Sequence, residues 1–218
     1  MGVNFGGERM NWMDMTLREY QSALASSSPT PGGGTAAAIA LGQASALAIM
    51  VCDLTLGRDK WNTGWSHAED TQMLAIPLLN RSGELAQADS DAFDAVMACF
   101  SMPKDTEDER QKRKIAIRNA TLRAAEVPFE TAKHSMELLL KLPSLAKFGN
   151  ANAVTDVGVA SLLASAAAKG AIFNVEINLQ SLPEDMGVNL RQNLHSMKER
   201  IRTAAREVMD EVRIRMED

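Results

Sequence analysis

Asp89 is the side chain in this sequence with the clearest chemical potential. At about 100° per residue, Leu78, Ser82, Leu85, Asp89, Phe93 and Val96 share one helix face, while Asp91 points roughly the other way. A carboxylate therefore interrupts an apolar stripe, where burial disfavours its charge and raises its pKa toward that of a useful base. A structural Asp bonded to a neighbouring helix end would leave the same pattern. The second chemical feature spans residues 26–60. Pro29 and Pro31 lead into Gly32, Gly33 and Gly34, and a small-residue apolar run follows, closed by Gly57, Arg58 and Lys60. A glycine loop feeding a helix leaves uncovered N–H groups at the positive end of the dipole, which suits an anionic or carbonyl-bearing ligand. A plain turn before a helix reads the same way. No Lys follows the glycines as a phosphate loop requires, and no strand precedes them as a dinucleotide fold requires.

The elements that must hold these residues read as helices. A short helix is expected over 13–25, with Leu17, Tyr20 and Leu24 on one face. The Ala-rich run from Thr35 should be a central buried helix, because small residues let neighbours approach closely. Ser66 with Glu69 has the form of a capping box opening the next helix, which Pro77 should kink or interrupt. After a break at 102–105, Thr106 and Glu109 form another capping box. The basic run Arg110, Lys112, Arg113 and Lys114 is expected to be a solvated face. Pro128 should kink that helix, which resumes to about 142. Pro143 and Gly149-Asn150 mark a loop, and Asp156 can cap a helix over 157–179. Leu190, Leu194, Met197, Ile201, Ala204, Val208 and Val212 form a heptad-like seam that closes the bundle or joins two chains. Residues 1–12 read as a loose arm and 13–218 as a single helical domain.

Composition agrees with an all-α fold. Of 218 residues 45% are hydrophobic but only 5% aromatic, and 13 are Met, so the core must be built from Ala, Leu, Ile, Val and Met. The net charge of −5 argues against nucleic acid as a partner. Cys52 and Cys99 sit in apolar helical runs and form no disulfide framework, which points to a reducing compartment. The apolar run 36–52 is interrupted by Gly42, Gln43 and Ser45, and no secretory signal precedes it. No membrane partner is expected, and the location expected is cytoplasmic. His67, His134 and His195 lack ligand spacing, so no metal is expected. Trp61 and Trp65 read as core packing.

Several short motifs, taken in order, carry a resemblance. They are Ser28-Pro29-Thr30-Pro31-Gly32-Gly33-Gly34, the run from Met50 to Arg58, and Asp89-Ser90-Asp91-Ala92-Phe93. Met102-Pro103-Lys104, Gly149-Asn150 with Asp156, and Asn174-Val175 with Asn178 follow. Over about residues 16–180 the chain resembles the cyclodeaminase/cyclohydrolase family, which comprises the C-terminal domain of formiminotransferase-cyclodeaminase and free-standing methenyltetrahydrofolate cyclohydrolases. The resemblance implies a multihelical bundle forming an intertwined homodimer. It implies a tetrahydrofolate substrate with a one-carbon unit at N5 and N10, and no other cofactor. It places the catalytic carboxylate on Asp89. Asn150, Asp156, Asn174 and Asn178 would then serve the pterin edge, Arg58, Lys60 and Lys104 the glutamate carboxylates, and Gly32, Gly33 and Gly34 the ligand's polar edge. Hydrolysis of 5,10-methenyltetrahydrofolate is the leading expectation, and ammonia release from 5-formiminotetrahydrofolate is the alternative. Some bifunctional members carry a second Asp where this chain has Gln87. A non-catalytic helical dimerisation module and a phosphate-ligand binder are the rivals from other classes.

Overall fold

The computed structural model describes residues 11–217, and among these there is no β-strand. Seven α-helices follow in order: α1 (Leu17–Leu24), α2 (Gly33–Thr55), α3 (Trp65–Phe100), α4 (Glu107–Leu139), α5 (Leu142–Phe148), α6 (Val154–Gln180) and α7 (Val188–Glu217). The all-α bundle expected from composition is found. Residues 1–10 of the expected arm lie outside the described residues. Trp12 belongs to a short 3-10 helix, Trp12–Asp14, and its indole N–H donates to Ser90 Oγ at 2.9 Å.

Helices α2, α3, α4 and α6 form a ring, with α2 and α4 each packed against both α3 and α6. Small residues permit the close packing: a Cβ on Gly170 would lie 3.6 Å from Ala37 Cβ. Leu41, Ala44, Ala48 and Val51 of α2 and Val157, Ala160, Ala164 and Ala168 of α6 are fully buried in one core. By length and composition alone, α2 and the helical stretch to Gln180 could each cross a membrane; here about half of each is buried inside the bundle. The seam of α7 faces its own chain. Leu194, Met197, Ile201, Ala204, Val208 and Val212 are buried, and α7 lies over α4, α5 and α6.

Capping boxes form at Thr16–Glu19 and, as expected, at Thr106–Glu109. The box expected at Ser66 does not form. A 3-10 helix, Asp59–Gly64, leads straight into α3, whose N-cap Gly64 makes no side-chain bond, so the backbone reaches Trp65 already in helical phase. Neither proline ends its helix. Pro77 and Met73, four residues back, both lie on the solvent side, so the carbonyl that the missing N–H abandons is open to solvent. Pro128 is buried, and the carbonyl it would abandon, that of Ala124, instead accepts Asn178 Nδ2 at 2.8 Å. Pro143 opens α5 and does not mark a loop, because a first-turn proline gives up no helical hydrogen bond. Helix α6 begins at Val154 with Ala153 as N-cap, so Asp156 sits in its first turn, favourable to the dipole, and is not the cap.

Candidate active site

Helices α2 and α3 run antiparallel, and α2 begins where α3 presents Asp89. A Cβ on Gly34 would lie 2.6 Å from Asp89 Cγ, a contact that only glycine permits without moving the carboxylate. Gly32 is the N-cap of α2 and makes no side-chain bond. The acid therefore stands against the positive end of a 23-residue helix.

Three side chains outside the predicted set organise this carboxylate. Thr35 Oγ1 donates to Asp89 Oδ2 at 3.1 Å and lies 3.0 Å from Ser90 Oγ. Because the Thr35 hydroxyl has one proton and spends it on Asp89, Ser90 must donate to Thr35, and the Trp12 indole donates to Ser90. The result is a one-way chain of donors, Trp12 to Ser90 to Thr35 to Asp89, that fixes Oδ2. Burial pushes the Asp89 carboxyl above its ordinary range, and the Thr35 hydroxyl and main-chain N–H pull against that.

Tyr20 lies close enough to feel the Asp89 charge without joining that chain of donors. It is the one buried residue of α1, 8% exposed, and its hydroxyl has no hydrogen-bond partner. Burial and the nearby Asp89 charge raise its pKa, so the phenol stays neutral. A phenol in the first helix was visible in the sequence, but its target 69 positions away was not.

The other predicted residues divide. Asn174 joins Asp89: its Nδ2 lies 3.9 Å from where a Gly33 Cβ would be and donates to Gly170 O at 2.9 Å. Asn178 is one turn further along α6, its amide committed to the gap at Pro128. Arg58 and Lys60 follow the far end of α2, whose 23 residues at 1.5 Å each put them about 34 Å from Asp89 within one chain. Lys60 there lies over the Trp61 ring at 4.6 Å. Asn150 closes the same far end, donating its N–H to Thr55 Oγ1 and its side-chain amide to Leu54 O. Asp156 is close by, at the start of α6. One protomer therefore does not gather Arg58, Lys60, Asn150 or Asp156 with Asp89. Lys104 lies past the end of α3, exposed. Burial pushes the Cys52 thiol up to about 12, which leaves it inert as a nucleophile. Among the described residues no three His, Cys, Asp or Glu side chains are grouped as metal ligands.

A family model described as formiminotransferase-cyclodeaminase matches residues 16–196. The chain belongs to the formiminotransferase-cyclodeaminase family. Within that family it is 35% identical to the methenyltetrahydrofolate cyclohydrolase of Methylorubrum extorquens, over 78% of this chain and 81% of that protein. It is 30% identical to the formimidoyltransferase-cyclodeaminase of Rattus norvegicus over 97% of this chain, but spans only 39% of that longer protein. The crystal structure of formiminotetrahydrofolate cyclodeaminase from Thermotoga maritima superposes with a TM-score of 0.82 at 27% identity, covering 92% of this chain and 97% of that one. The family's helical bundle is therefore the fold found here.

Proposed function

We propose that this protein is a folate-dependent one-carbon enzyme that hydrolyses 5,10-methenyltetrahydrofolate to 10-formyltetrahydrofolate. The observation that carries the reading is the contact between the half-buried Asp89 carboxylate and Gly34 at the α2 N-terminus. The substrate is a cyclic amidinium cation, which a buried carboxylate stabilises. Asp89 accepts a proton from water as the oxygen bonds to the bridging carbon. The N5–carbon bond then breaks, N5 takes up a proton, and the carbon remains on N10 as a formyl group. The Thr35 hydroxyl on Oδ2 leaves Oδ1 for the reacting water, and the unpartnered Tyr20 hydroxyl is a donor the reacting groups could use.

The second reading is cyclisation of 5-formiminotetrahydrofolate: N10 attacks the formimino carbon and ammonia leaves. Both reactions pass through a tetrahedral carbon between N5 and N10, so one site can serve either. Gln87, which cannot ionise and whose amide donates to Asp91 at 3.0 Å, favours the hydrolytic reading, as does the higher identity to a cyclohydrolase. The assay offers both substrates to the purified protein. Decay of methenyl absorbance without ammonia from the formimino compound is expected; the reverse selects the cyclodeaminase, and silence with both refutes the enzyme.

The reading includes a cytoplasmic homodimer that needs no cofactor beyond the folate. A face of α6 carrying Val159, Leu162, Phe173 and Ile177 is exposed although apolar. Phe173 and Ile177 are 70% and 62% exposed, which suits a face covered by a second copy.

A further inference from the structure

We propose that the last three turns of α3, together with a basic cavity at their end, form a trench for the aryl and glutamate portions of the substrate. This rests on the folate reading above. Because α2 runs antiparallel to α3 and starts level with Asp89, nothing from α2 covers the α3 face beyond that point. The row that holds Asp89 continues as Phe93, Val96, Met97 and Phe100, and Phe93, Met97 and Phe100 are exposed apolar side chains. An aromatic amide lies well over such a surface.

The row ends at cations. A cavity of about 380 Å³ is lined by Arg110, Arg113, Lys114, Ile117, Arg118 and Ser181. Arg113 ties the cavity to the row: its guanidinium lies 5.5 Å from the Phe100 ring and donates to Phe100 O at 3.0 Å. Arg110 is held by Glu107 and by the carbonyls of Lys104 and Asp105. Lys114 and Arg118 pair with no carboxylate among the described residues. Ser181 is the C-cap of α6, seven residues beyond Asn174, so the cavity lies at the Asp89 end of the bundle. From Asp89 to Phe100 is eleven residues, about 17 Å of helix. That length suits a p-aminobenzoyl group followed by one or two glutamates, whose carboxylates would meet four cations. The basic run of α4, expected from sequence to be a solvated face, is then a specificity surface.

The test compares the full-length protein with a Lys114→Gln/Arg118→Gln variant. The substrates are methenyltetrahydrofolate with one glutamate, the same with added γ-linked glutamates, and methenyltetrahydropteroate, which has none. The wild-type KM should fall as glutamates are added. In the variant, KM for the glutamylated forms should rise about tenfold or more, with kcat within about twofold and the pteroate unaffected. Calorimetry with p-aminobenzoylglutamate should show binding that the variant loses. Equal KM values across the three substrates, or the same rise for the pteroate, would overturn the trench while leaving the enzyme reading intact. So would citrate binding as well as p-aminobenzoylglutamate, or a variant that changed the oligomeric mass. A wild type inactive on all three would remove the function and this inference with it.

Discussion

Asp89 is an acid whose charge the fold disfavours, and that has consequences for both rate and stability. A base must be ionised, so turnover should be lost as pH falls through a value above the ordinary Asp range. For stability the sign is opposite. Folding raises the pKa, so the folded state holds the proton more tightly, and stability declines as pH rises from the unfolded to the folded value. The Thr35 hydroxyl opposes the shift. Thr35→Val should therefore move the acid limb of kcat/KM to higher pH, which a pH–rate profile checks. Tyr20→Phe removes only a buried hydroxyl that has no partner in the free protein. Its Tm should stay level or rise, while kcat falls about tenfold. Thermal melts and steady-state kinetics on one preparation test both halves.

At the scale of elements, Asn178 and Pro128 form a coupled pair. Asn178→Ala leaves the partly buried Ala124 carbonyl without a donor and should cost about 1 kcal/mol in denaturant unfolding. Adding Pro128→Ala restores the helical N–H, so the double variant should recover part of that loss. Helix ends were legible where they rest on local chemistry, as at Thr106 with Glu109. Ser66 and Glu69 failed because a 3-10 turn ahead of them already delivered the helical phase, which residue types do not reveal. Asp89 was legible from its row, and its contact with Gly34 follows from two antiparallel helices. Arg58 and Lys60 lie a full helix length from Asp89 within one chain, a separation that residue types do not reveal. Tyr20, Trp12 and Thr35 come to the Asp89 region by tertiary packing, for which periodicity has no signal.

At the scale of the molecule, the bare apolar face of α6 is expected to hold two copies together. Phe173→Glu with Ile177→Glu places two charges on that face, where both side chains are mostly exposed. The variant should stay helical but show half the wild-type mass in light scattering after gel filtration; an unchanged mass would move the interface elsewhere. The most direct test of the central claim is the rate of 5,10-methenyltetrahydrofolate hydrolysis by Asp89→Asn, measured with its melting temperature at neutral pH. The carboxylate as base predicts a loss of at least about a hundredfold in kcat, with a melting temperature no lower than wild type. Near-normal turnover in a folded Asp89→Asn protein would contradict it.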